Sequence, residues 1–81
     1  MTSEEALVEL TDVFREVFER PDLTLTRDST AENVPGWDSV MHINVIVGAE
    51  MHFGIKFKAA ELDEMRDVGE LVDLIVKKKN K

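Results

Sequence analysis

None of the 81 residues is cysteine, which excludes a disulfide, a thiolate nucleophile and thiolate metal ligands. Any thiol chemistry must therefore come from a group added to the chain. Basic residues are scarce, ten against seventeen acids, and a net charge of −7 argues against nucleic acid, whose phosphates reward Lys and Arg. Long apolar runs are missing as well. The longest, Val45-Ile46-Val47-Gly48-Ala49, is far short of a membrane span, and Glu4 and Glu5 stand where a signal peptide would be basic. A cytosolic protein with no membrane span is expected. The sequence also lacks a glycine-rich phosphate loop and a G-x-S-x-G elbow, and its two histidines, His42 and His52, have no metal-binding companion four residues on. A Ser39–His42 pair is conceivable one helical turn apart, but nothing completes a triad, so both histidines are expected in solvent. No catalytic residues and no metal site are assigned.

What the chain does contain is enough apolar residue, 43% against 33% charged, to fold rather than remain disordered. Domains of this size bury only about 60 to 65% of their unfolded surface, so residues 1–81 are expected to form one small domain with a modest core. The spacing predicts a first helix from Thr2 or Ser3, with Thr2 and Glu5 as a capping box, ending near Arg20 before Pro21. Its apolar residues, from Ala6 and Leu7 to Val17 and Phe18, fall in steps of three and four and form one stripe. Residues 21–37 make a long connection that Leu23, Leu25, Val34 and Trp37 are placed to pin down. A connection of that length permits the second helix to run parallel to the first.

Asp38 suits an N-cap, which starts the second helix at Ser39. The helix is expected to run to Phe53, with Gly54 in the left-handed position after it and Gly48 permitting a close packing approach. Its apolar surface is wider than one core face needs, so part of it is expected to be exposed. A short helix is expected over residues 59–65, and a last one is headed by Asp67 and Glu70 and closed by Lys77, Lys78 and Lys79. The predicted core comprises Phe14, Val17, Phe18, Ile43, Val47, Leu62, Leu71, Val72 and Ile75. The fold class is thus all-α, with three principal helices, a short helix III and a long loop between helices I and II.

Ser39 would stand at the positive end of the second helix, near unpaired backbone N–H groups, where a phosphate on its hydroxyl is favoured. The run Gly36-Trp37-Asp38-Ser39-Val40, set after a long loop and before Ile43, Ile46, Val47 and Phe53, resembles the attachment site of acyl and peptidyl carrier proteins. The resemblance covers nearly the whole chain. It implies a four-helix bundle of acyl-carrier type, with 4'-phosphopantetheine joined to Ser39 and Asp38 serving as helix cap and transferase contact. It also implies as partners a phosphopantetheinyl transferase and acyl- or aminoacyl-loading and acyl-processing enzymes. A stand-alone monomeric carrier for a fatty acid, polyketide, lipid or peptide pathway is expected. The alternatives are a small helical adaptor with Ser39 unmodified and a small Ser39 hydrolase. One departure from the family stands out. Carriers of fatty acid synthesis have an acidic helix II, whereas here Glu50 is the only acid after Asp38. Partners are therefore expected to contact Val40, Met41 and Asn44, assisted more weakly by Glu50 and Glu61.

Overall fold

The computed structural model describes residues 1–80. They form α1 (Ser3–Phe18), α2 (Ser39–Phe53), α3 (Ala59–Glu64) and α4 (Val68–Lys79), and no strand occurs among the described residues. The caps follow the local chemistry. Thr2 Oγ1 accepts from the Glu5 N–H at 3.1 Å, and the Glu5 carboxylate accepts from the Thr2 N–H at 2.9 Å. These backbone and side-chain bonds hold the Glu5 carboxyl below its ordinary pKa. α1 ends two residues before Arg20, because Glu19 turns left-handed (φ 54°) and its N–H closes on the Arg15 and Glu16 carbonyls. Gly54 does the same for α2 at φ 68°, a conformation that glycine adopts without steric cost.

Trp37, just before α2, packs edge-on against Phe14 with ring centroids 5.0 Å apart, while His52 in the last turn of α2 reaches Glu9 at 3.0 Å. Rising numbers on α2 thus meet falling numbers on α1, and the two helices run antiparallel, which corrects the parallel arrangement anticipated from loop length. The physical reason lies in the loop, which is folded against the bundle with Leu23, Leu25, Val34 and Trp37 all buried. It does not stretch along the bundle. At the far end Lys79 Nζ donates to the Phe53 carbonyl at 3.1 Å and the Met1 amine donates to Asn80 Oδ1 at 2.8 Å. α2 and α4 are therefore parallel, and both oppose α1.

The core joins Ala6, Leu10, Val13 and Phe14 of α1 to Val45, Ile46, Ala49 and Phe53 of α2 and to Val68, Leu71, Val72 and Ile75 of α4. Of the residues expected there, Phe14, Leu71, Val72 and Ile75 are buried, and Val17, Phe18 and Leu62 are packed partly buried at its margin. Ile43 and Val47 are not in it. They are 64% and 48% exposed, because α2 turns Gly48 toward α1, buries Ala49, and carries Ile43 and Val47 round to the other side. A side chain at Gly48 would stand 3.1 Å from Val13 Cγ1, so the close approach expected there is real.

Candidate functional site

The site begins with the loop, which holds the start of α2 beside the start of α4. An α-helix leaves its first four N–H groups without partners inside the helix. At α4 the loop supplies two of the missing acceptors. The Val68 N–H donates to the Ser29 carbonyl at 2.9 Å and the Gly69 N–H to the Arg27 carbonyl at 2.8 Å. Asp67 Oδ1 accepts a third bond, from the Glu70 N–H at 2.8 Å. Arg27 Nη2 then donates to both oxygens of Asp73 at 3.0 and 2.9 Å, and the buried Ser29 hydroxyl accepts from the Thr26 N–H at 2.9 Å. Gly69 is required for this closeness, since a Cβ there would lie 2.9 Å from the Arg27 carbonyl oxygen.

At the start of α2 the arrangement is more open. Asp38 accepts from the Met41 N–H at 2.9 Å, as its N-cap chemistry predicts, and Ser39 follows it, exposed, as the first helical residue. The first turns of α1, α3 and α4 each contain glutamate, whereas the first turn of α2 contains no acid. The positive end of α2 thus has no glutamate competing for it where the Ser39 hydroxyl stands.

Beside Ser39 opens a groove of about 600 Å³. Trp37, Asp38, Ser39, His42 and Ile43 form one wall, Met65, Arg66, Asp67 and Leu71 the other, and Ala31 also lines it. His42 was expected in solvent and is instead half-buried. Its ring lies 5.9 Å from the indole of Trp37 at an interplanar angle of 26°, and its Nδ1 accepts the Trp37 Nε1–H at 3.3 Å. Burial lowers its pKa below the ordinary imidazole range. Among the described residues Ser39 makes no hydrogen bond to His42, so no activated-serine arrangement is formed. His52 is exposed and pairs with Glu9, and no group of three or more metal-ligating side chains occurs among the described residues.

The remaining residues singled out from sequence fall into two groups. Val40 (66% exposed) and Asn44 lie open on α2 near Ser39. Met41 is partly buried against the core, Glu50 accepts from the Phe57 N–H at 2.9 Å, and Glu61 accepts from the Lys58 N–H at 2.7 Å and pairs with Lys78 at 2.9 Å. The Lys58 N–H first, and Lys78 after it, hold the Glu61 carboxyl below its ordinary pKa. Both glutamates thus serve contacts inside the fold. The open part of α2 is a stripe that sequence reasoning had partly assigned to the core: Val40, Ile43, Val47 and Met51, all substantially exposed. The adjacent Gly48-Ala49 pair is the signal that could have located it, because small residues mark the face that approaches a neighbouring helix.

An exposed serine hydroxyl thus stands at an open helix start with a groove beside it. The comparisons place it further. Residues 8–75 match the family described as the phosphopantetheine attachment site, and the chain belongs to that family. It is similar to the solution NMR structure of a holo acyl carrier protein from Geobacter metallireducens, with a TM-score of 0.85, 44% identity and coverage of 90% of this chain and 84% of that one. No curated protein matches. The fold is that of acyl carrier proteins, and the prosthetic group is covalent 4'-phosphopantetheine. The residues fit such a group: an exposed hydroxyl, a helix start suited to phosphate, and a largely apolar groove alongside.

Proposed function

We propose that residues 1–81 form one carrier domain whose prosthetic arm is joined to Ser39. The observation that supports this most is the exposed Ser39 at the Asp38-capped start of α2, whose first turn contains no glutamate. In the loading step a transferase directs the Ser39 hydroxyl onto the pyrophosphate of coenzyme A. A phosphodiester forms at Ser39 Oγ, the pyrophosphate bond breaks, 3',5'-ADP leaves, and the hydroxyl proton passes to a base on the transferase. Asp38 contributes by fixing the helix start that presents the hydroxyl. Once attached, the arm supplies the thiol that the cysteine-free chain lacks, and it carries acyl or aminoacyl groups as thioesters at high local concentration to each docked enzyme. The chain itself performs no catalysis in this reading and works in the cytosol. No helix of the described residues is long and apolar enough to cross a membrane.

The pathway is a specialised one. Partners dock on Val40, Met41 and Asn44 and on the apolar stripe continuing through Ile43 and Val47, with Glu50 and Glu61 as minor contributors because both are engaged internally. Incubation with coenzyme A, Mg²⁺ and a permissive transferase, read by intact mass, should add one phosphopantetheine to the wild type and none to Ser39→Ala. Modification mapped to another hydroxyl overturns the site, and a chain that stays unmodified returns the adaptor reading.

A further inference from the structure

The Trp37–His42 contact fixes more than packing. An indole Nε1–H is a donor only, so the His42 Nδ1 that receives it must be a lone pair. A neutral imidazole with an unprotonated Nδ1 carries its proton on Nε2, which makes the other edge of the ring a donor. That edge has no partner among the described residues, and no side-chain nitrogen or oxygen among them is both buried and unsatisfied. The Nε2–H is therefore open to an acceptor, on a ring that lines the groove beside Ser39. His42 lies three residues beyond Ser39, a rise of about 4.5 Å along α2 and on a neighbouring face of the helix.

We propose that His42 is a binding residue for the prosthetic arm, its Nε2–H donating to an oxygen of the pantoyl unit, with Trp37 as the positioning residue that holds the donor tautomer. This rests on the attachment to Ser39 proposed above. The pantoyl unit follows the phosphate by a few bonds, the reach needed to pass from the start of α2 to its next turn. It offers a hydroxyl and an amide carbonyl to a neutral donor and two geminal methyl groups to an apolar wall, here Trp37 and Ile43. In this arrangement the first part of the arm is laid into the groove and the thiol end stays free to reach a partner.

The test uses the full chain loaded with isotope-labelled phosphopantetheine and compared with wild type in His42→Leu, His42→Gln and Trp37→Phe. Intact mass confirms loading in each before spectra are recorded. In the wild type the two pantoyl methyl signals, already inequivalent beside the chiral carbinol carbon, should both be displaced from their positions in free phosphopantetheine, with nuclear Overhauser contacts to Trp37 and Ile43. His42→Leu, which keeps the apolar bulk and removes the donor, should return them to the free positions. His42→Gln restores an N–H and should restore the displacement. In Trp37→Phe the ¹⁵N signals of His42 should move from one fixed tautomer to a mixture, which a merely structural indole would not cause. Wild-type methyl signals at the free positions, or displaced signals that survive His42→Leu, overturn the proposal even though loading succeeds. A wild type that fails to load overturns the attachment reading instead.

Discussion

Helices α1 and α2 are nearly equal in length, sixteen and fifteen residues, yet they meet solvent differently. α1 buries Ala6, Leu10, Val13 and Phe14 and presents Glu4, Asp12 and Glu16 outward, with Val8 as an isolated exposed apolar residue. α2 buries Val45, Ile46, Ala49 and Phe53 and still leaves Val40, Ile43, Val47 and Met51 in water. An exposed apolar row is more than folding alone requires. On the docking reading proposed above, α1 completes the bundle, whereas α2 divides its surface between the bundle and partner enzymes.

The most direct way to break that comparison is to truncate one apolar residue from each side of it. Phe14 is fully buried between Phe18 and Trp37, so Phe14→Ala should cost about 3 to 5 kcal/mol in denaturant unfolding. Ile43→Ala removes as apolar a side chain from the open face and should stay within about 0.5 kcal/mol. Similar losses at the two positions would show that α2 has no free face. Gly69→Ala comes next. Its Cβ would press on the Arg27 carbonyl at 2.9 Å, and the backbone there cannot yield as a flexible side chain would. A loss of about 1 to 3 kcal/mol is expected, together with altered amide signals at Arg27 and Ser29.

The helices and their caps were legible because their causes are local. Thr2 with Glu5, Asp38 before Ser39, and Gly54 after Phe53 each act within a few residues of where they stand. The inward face of α2 was not legible, since a helix apolar on several sides gives periodicity no single stripe to choose. A tertiary fact chose it, the approach of Gly48 to Val13 and Val17 of α1. The course of the long loop was half legible. Leu23, Leu25, Val34 and Trp37 announced that it is pinned, but the backbone carbonyls of Arg27 and Ser29 that meet α4 have no side-chain signature. His42 was misplaced for a related reason, because its place between Met41 and Ile43 gives no sign that Trp37, five residues back, covers it.

Two smaller effects sharpen the contrast at the helix starts. Asp38→Ala removes the only side-chain acceptor found at the start of α2 and should cost about 1 kcal/mol while slowing attachment at Ser39. Unchanged melting and loading would mean that the cap is dispensable. On the open stripe, Ile43→Ala should weaken docking to the carrier's own pathway enzyme about tenfold, or about 1.4 kcal/mol, with little dependence on salt. A steep loss of affinity with salt, reproduced by Glu50→Gln plus Glu61→Gln and not by Ile43→Ala, would show that docking is electrostatic.

The smallest expected effect is a pH dependence that separates the two helix starts by their titration ranges. His42, which shares its groove with Asp38, Asp67 and Arg66, has a pKa below the ordinary imidazole value because burial disfavours its charged form. The unfolded chain therefore binds the proton first, and stability rises with pH through this window. The contribution is fully present above about pH 6.5 and is lost as pH falls through the folded-state value. Glu5, at the start of α1, and Glu61, at the start of α3, have pKa values below 4.5 because N–H groups donate to their charged forms. Their contributions are present above pH 4.5 and are lost only below it. Acid should thus reach the α2 end before it reaches the glutamate-capped starts. Thermal unfolding followed from pH 8 to pH 3 should show a shallow decline starting near pH 6.5 and a second decline below pH 4.5. His42→Gln should flatten the first and leave the second, and Glu5→Gln should reduce the second and leave the first. A first decline that persists in His42→Gln would mean that another group titrates there and that the Trp37–His42 contact does not require a neutral ring.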